Sequence, residues 1–150
     1  MKKLLFAVLV LSSTSLFAQK KADDIAKINV ETYDLGKVKQ NVPATATFIV
    51  TNIGKEDLLI DQANPTCGCT ISDYTKSPIA PGKTGVIHAT YNAANPGHID
   101  KTLTVKFAGA DDIKFIKLTG DVLAPADYDE AVASGDIKKA VNSAAKNNKK

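Results

Sequence analysis

The sequence predicts a small all-β domain, a seven-stranded antiparallel sandwich, carried behind an export signal. Three observations predict it. Short runs rich in Val, Ile, Thr, Tyr and Phe recur along the chain, and apolar and polar side chains alternate within them. Gly, Pro, Asn and Asp separate these runs at intervals of roughly 8 to 15 residues, a spacing suited to sandwiches. With 150 residues the chain has room for one domain and a tail.

Residues 1–18 read as a signal peptide. Lys2 and Lys3 make a basic start, residues 4–11 an unbroken apolar run, and a Ser/Thr stretch leads to Ala18 at the cleavage position. Leu16 is larger than the residue usual at the third position before the cut. The apolar run is far shorter than the ~20 residues a membrane-spanning helix needs. It is therefore expected to be removed, leaving no transmembrane anchor and a periplasmic or secreted product. Residues 19–27 are expected to be a linker and residues 28–125 the domain.

The strands follow in order. Residues 28–33 form the first, closed by Gly36. In residues 44–52, Ala46, Phe48 and Val50 share one face, and Thr45, Thr47 and Thr51 the other. Residues 52–55 turn into a strand at 58–63, and a short strand is expected around 70–72. Pro78, Pro81 and Gly82 set a tight loop before the strand at 86–91. Ile99, Leu103, Val105 and Phe107 point inward from residues 98–107, as do Ile116, Leu118 and Val122 from residues 113–122. The Lys/Ala-rich tail, residues 126–150, is expected to be solvated. Within it Asp136 caps a marginal helix through residue 146, set off by Ser134 and Gly135.

Charge narrows the function. All 19 basic residues are Lys, against 16 acidic ones. Loss of Lys2 and Lys3 would leave a net charge of +1. The absence of Arg, the preferred residue for bidentate phosphate and base-edge contacts, argues against a nucleic-acid partner. No G-x-S-x-G elbow is present, and Gly82-Lys83-Thr84 lacks the upstream Gly of a phosphate loop, position 77 being Ser77.

Several motifs together carry a resemblance. They are Tyr33-Asp34-Leu35-Gly36, Thr51-Asn52-Ile53-Gly54, Thr66-Cys67-Gly68-Cys69-Thr70, Pro78-Ile79-Ala80-Pro81-Gly82 and Leu118-Thr119-Gly120-Asp121-Val122. In this order they resemble an uncharacterised exported bacterial family recognised by a CGCT motif and a PI-x-PG turn. That family is similar to the Hydin-type and major-sperm-protein-like immunoglobulin domains. The resemblance spans about residues 28–123 and implies a seven-stranded immunoglobulin-like sandwich. It implies no activity.

Cys67-Gly68-Cys69 is the one unusual chemical constellation. In an oxidising compartment two cysteines default to a disulfide. Residues two apart in an extended strand sit near the limit a bridge tolerates, and Gly68 at positive φ would curl them together. Closing so short a loop removes only ~1.6 kcal/mol of chain entropy, so a bridge here is a weak staple and a candidate redox element. Two other readings stand beside it: a pair of packed thiols, or a metal site drawing on Cys67, Cys69, His88 and His98. Each histidine alone reads as a surface imidazole without ligand duty. The expected function is an exported, non-catalytic module, without a cofactor, that binds a protein or glycan partner by a sheet edge or end loops. The alternative is a thiol-redox or copper-handling protein built on Cys67-Gly68-Cys69.

Overall fold

The computed structural model describes residues 20–137. The expected signal peptide at 1–18 and residues 138–150 lie outside the described residues. Two four-stranded sheets face each other. One has the order β1 (Ala26–Ile28), β3 (Ala44–Asn52), β6 (Thr84–Tyr91), β5 (Thr70–Tyr74). The other has the order β2 (Thr32–Lys39), β8 (Lys114–Leu123), β7 (Gly97–Phe107), β4 (Ile60–Pro65). The all-β sandwich read from the sequence is the fold observed.

Alternation builds the core. Ala46, Phe48 and Val50 of β3 are fully buried, as are Ile87 and Ala89 of β6, Ile99, Leu103 and Val105 of β7, and Ile116 and Leu118 of β8. These side chains meet between the sheets, while the alternate positions of each strand face water. Tyr33 closes the β2 side of the core with its ring edge-on to Phe48, the centroids 5.8 Å apart.

Among the described residues the strands number eight, because the first predicted run is divided between the sheets. β1 pairs antiparallel with β3, and β2 pairs parallel with β8. Asn29 ends the first ladder: its N–H donates to the Ile49 carbonyl at 3.0 Å and its side-chain oxygen accepts from the Ile49 N–H at 2.8 Å. Gly36 does not close a strand. It lies inside β2 at a bulge between Asp34 and Lys37, its N–H donating to Asp34 Oδ1. Leu58, expected in a strand, instead makes an isolated bridge to Ile79.

Both flanks depart from expectation. Residues 19–27 are no mere linker, because α1 (Ala22–Ile25) and Ala26 bury apolar side chains in the core. Asp111 and Asp112 hold this segment through the backbone N–H groups of Lys20 and Ala22. At the other end a helix, α2 (Pro125–Ala133), begins well before Asp136, with Pro125 in its first turn. Ser134 and Gly135 end this helix, through bonds to the Glu130 and Val132 carbonyls, and set it off from the residues that follow, the break expected there. Asp136 and Ile137 are again helical, and the rest of the expected helix lies outside the described residues.

Candidate functional site

Motifs separated in sequence meet as pairs. Asn52 is buried, and its Nδ2 donates to the carbonyls of Glu56 and Ile79, each at 2.7 Å. Its Oδ1 accepts from the Gly54 N–H at 2.9 Å. The main chain of Asn52 bonds to Gly82 and Lys83, so the Thr-Asn-Ile-Gly turn and the Pro-Ile-Ala-Pro-Gly loop form one unit. Within that loop Lys83 N–H donates to the Ala80 carbonyl, with Pro81 and Gly82 at the centre of the turn. Gly82 has φ +74°, which marks a type II turn and explains Pro followed by Gly. Pro78 leads into Ile79, whose buried side chain faces Leu58. A second pair joins Gly36 to Gly120. A Cβ on Gly120 would lie 2.6 Å from the Gly36 carbonyl oxygen.

Cys67-Gly68-Cys69 is the turn between β4, at the edge of one sheet, and β5, at the edge of the other. The two cysteines are bridged, with Cα atoms 5.4 Å apart. Thr70 N–H reaches back to the Cys67 carbonyl, so a turn, not an extended strand, brings them together. Gly68 is not among the glycines with positive φ, contrary to expectation. It is exposed, and a Cβ there would meet nothing within 4 Å. Both cysteines are part-exposed, and Cys69 leans on the core. Cys67 Sγ lies 3.7 Å from Thr70 Oγ1. Three bonds hold the flanks independently of the bridge: Thr66 N–H and Oγ1 both donate to the Thr102 carbonyl, and Asn92 N–H donates to the Cys69 carbonyl.

The four residues of the expected metal set are not brought together. His88 lies on the outer face of the first sheet with Nδ1 3.0 Å from Thr47 Oγ1, and His98 lies on the second sheet with Nδ1 3.0 Å from Asp121 Oδ1. With the cysteine sulfurs bonded to each other, no group of three metal-type side chains forms among the described residues.

The sheet edges are the remaining feature that bears on binding, and sequence reading located only their general kind. β4 and β5 cap one another: Ser72 Oγ donates to the Ala63 carbonyl and Tyr74 OH to the Asp61 carbonyl. Lys76 lies over the Tyr74 ring. β1 has three residues and β2 is bulged, two further ways in which an edge is blunted. β3 differs. Asn52 N–H and C=O point to β6, whereas those of Ile49 point to Asn29 on the opposite side. Because the direction alternates along a strand, Thr45 and Thr47 also point away from β6. β1 pairs only with Val50, Thr51 and Asn52, so nothing pairs with the main chain of Thr45 and Thr47 among the described residues.

A family model described as a protein of unknown function, DUF1573, matches residues 26–122. The chain belongs to this family. No protein of curated function matches the DUF1573 chain in sequence. Among solved structures, it is similar to a protein of unknown function from Porphyromonas gingivalis W83, with TM-score 0.58 and 13% identity over 73% of this chain and 51% of that one. The PapD-like domain 7 of human CEP192 gives TM-score 0.56 and 10% identity over 82% and 99% of the two chains. The secreted serine protease VesC from Vibrio cholerae gives 0.52 and 17% over 74% and 27%. The DUF1573 chain thus spans about half of the first protein and a quarter of VesC. At these identities the likeness carries the fold, an immunoglobulin-like sandwich of PapD type, and nothing of activity. No helix among the described residues is long and apolar enough to cross a membrane.

Proposed function

We propose that the protein is an exported, non-catalytic binding module that takes an extended segment of a partner polypeptide along the uncovered half of β3. The observation that carries this reading is the pair of outward main-chain donors and acceptors at Thr45 and Thr47, left without a strand partner among the described residues. A partner strand there would gain affinity from main-chain bonds and selectivity from side chains on alternate faces. Val42 and Ile49, 51% and 42% exposed, offer apolar contact on either side. Lys2, Lys3 and the apolar run that follows support export. The CGCT run and the Pro-Ile-Ala-Pro-Gly turn are read as marks of the family.

Amide exchange and one substitution test the reading. In the isolated protein the Thr45 and Thr47 amides should exchange faster than those of Ala46 and Phe48, whose N–H groups serve the β6 ladder. A bound partner should slow Thr45 and Thr47 selectively. Thr47→Pro removes an outward donor without breaking the ladder to β6, so it should fold and lose the partner. Slow exchange at Thr47 in the free protein, or unchanged capture by the Pro variant, would overturn the proposal. Capture of a glycan without protection of these amides would do so equally.

A second reading, a thiol-redox role, is favoured by one specific observation: the part-exposed Cys67–Cys69 bridge in a turn that other bonds already hold.

A further inference from the structure

The uncovered half of β3 makes no use of the Cys67–Cys69 bridge, which closes too short a loop to add much stability. We propose that the bridge is a thiol–disulfide exchange site for dithiols, in which Cys69 receives the incoming thiolate and Cys67 departs as a thiolate held by Thr70. This inference rests on the thiol-redox reading and is independent of strand binding at β3.

Hydrogen-bond chemistry assigns the roles. A sulfur within a disulfide carries no proton, so in the contact between Thr70 Oγ1 and Cys67 Sγ the hydroxyl is the donor. Thr70 is 3% exposed, and burial fixes its side chain against the turn. As the S–S bond breaks, negative charge grows on Cys67 and the Thr70 hydroxyl is already aimed at it. A donor to the charged form favours that form, and the more acidic thiol is the better leaving group. Cys69 Sγ has no such donor among the described residues, which leaves it as the sulfur to be attacked. Cys69 is part-exposed, and the neighbouring Gly68 presents no side chain and has empty space where a Cβ would stand.

The step balances as follows. A substrate thiolate bonds to Cys69 Sγ, the Cys69–Cys67 bond breaks, and Cys67 takes the electron pair. The second substrate thiol, after losing its proton, attacks the substrate sulfur of the mixed disulfide and releases Cys69. The substrate dithiol is oxidised to a disulfide, and the bridge is reduced by two electrons and two protons to Cys67 and Cys69 thiols. The bonds of Thr66 to Thr102 and of Asn92 to Cys69 keep the turn in place throughout, so the reaction runs in reverse without refolding.

The experiment uses the full mature protein with dithiothreitol as the dithiol probe. Wild type should be reduced under native conditions, releasing two thiols with its circular dichroism unchanged. Thr70→Val should slow reduction roughly threefold, as one unit of lost leaving-group acidity gives at a Brønsted slope of about 0.5, and Thr70→Ser should restore the rate. Thiolate absorbance against pH supplies a readout that a purely structural role would not move. In Cys69→Ser the remaining Cys67 should ionise below the ~8.5 of a free cysteine, and Thr70→Val in that background should abolish the difference. A bridge that resists dithiothreitol until the protein unfolds would overturn the thiol reading itself. Ready reduction with no effect of Thr70→Val on rate or ionisation would overturn the assignment of Cys67 and Thr70 alone.

Discussion

Asn52 places a polar side chain inside the sandwich, and three hydrogen bonds satisfy it there. Asn52→Leu would leave the Glu56 carbonyl without a donor, whereas the Ile79 carbonyl keeps the Leu58 N–H, and a stranded group costs about 1–3 kcal/mol. A loss of roughly 2 kcal/mol is expected in equilibrium denaturation, a sizeable share of the stability of a small domain. The glycines separate in the same assay. Gly120→Ala combines φ +148° with a Cβ driven into the Gly36 carbonyl and should cost at least ~2 kcal/mol. Gly68→Ala meets nothing and should stay within ~0.5 kcal/mol of wild type. The paired variant Cys67→Ser, Cys69→Ser should remain folded and lose at most ~2 kcal/mol, because its loop constrains so little of the unfolded chain. Asn52 and the Gly36–Gly120 pair were visible in the sequence only as members of motifs. Their partners lie tens of residues away, and no local pattern names them.

At the level of elements, edges and flanks behave differently from the strands they join. β4 and β5 shield each other with Ser72 and Tyr74, so aggregation through that side is blocked without any added segment. α2 buries no residue and meets the sandwich through Lys39, which pairs with Asp129 at 2.7 Å and lies over the Tyr128 ring. Exposed contacts of this kind contribute about 1 kcal/mol or less. Deleting residues 127–150 should therefore lower the calorimetric midpoint by no more than about 4 °C. Lys114 ties β8 to α1 and to the β1–β2 crossing through Asp23 at 2.7 Å and Glu31 at 2.5 Å. The hydrogen bond to Asp23, then that to Glu31, raises its pKa above 10.5. A raised lysine stabilises the fold fully below its unfolded value and ceases to do so as pH climbs through the folded one. Urea midpoints should show no loss from this group between pH 7 and 9 and a decline above about pH 10.5 that Lys114→Met flattens.

For the molecule as a whole, the apolar faces of two sheets account for the fold, and the surface is left for binding. Intact mass of protein exported by a native host should show a chain starting within about two residues of Gln19. A mass that retains residues 1–18 would remove the basis for placing the Cys67–Cys69 bridge in an oxidising compartment. The sequence alone determined the strand faces: Ala46, Phe48, Val50, Ile99, Leu103, Ile116 and Leu118 were read as inward and are buried. It did so because alternation is a local property, set by a two-residue repeat. The Pro81-Gly82 turn was legible for the same reason, since its chemistry is contained in adjacent residues. Only the tertiary structure decided that β2 crosses to lie parallel to β8, that Gly36 sits inside a strand, and that β1 stops short of Thr47. Those outcomes depend on pairings between segments far apart in the chain, where register is settled by which apolar faces fill the shared core and not by any neighbour in sequence.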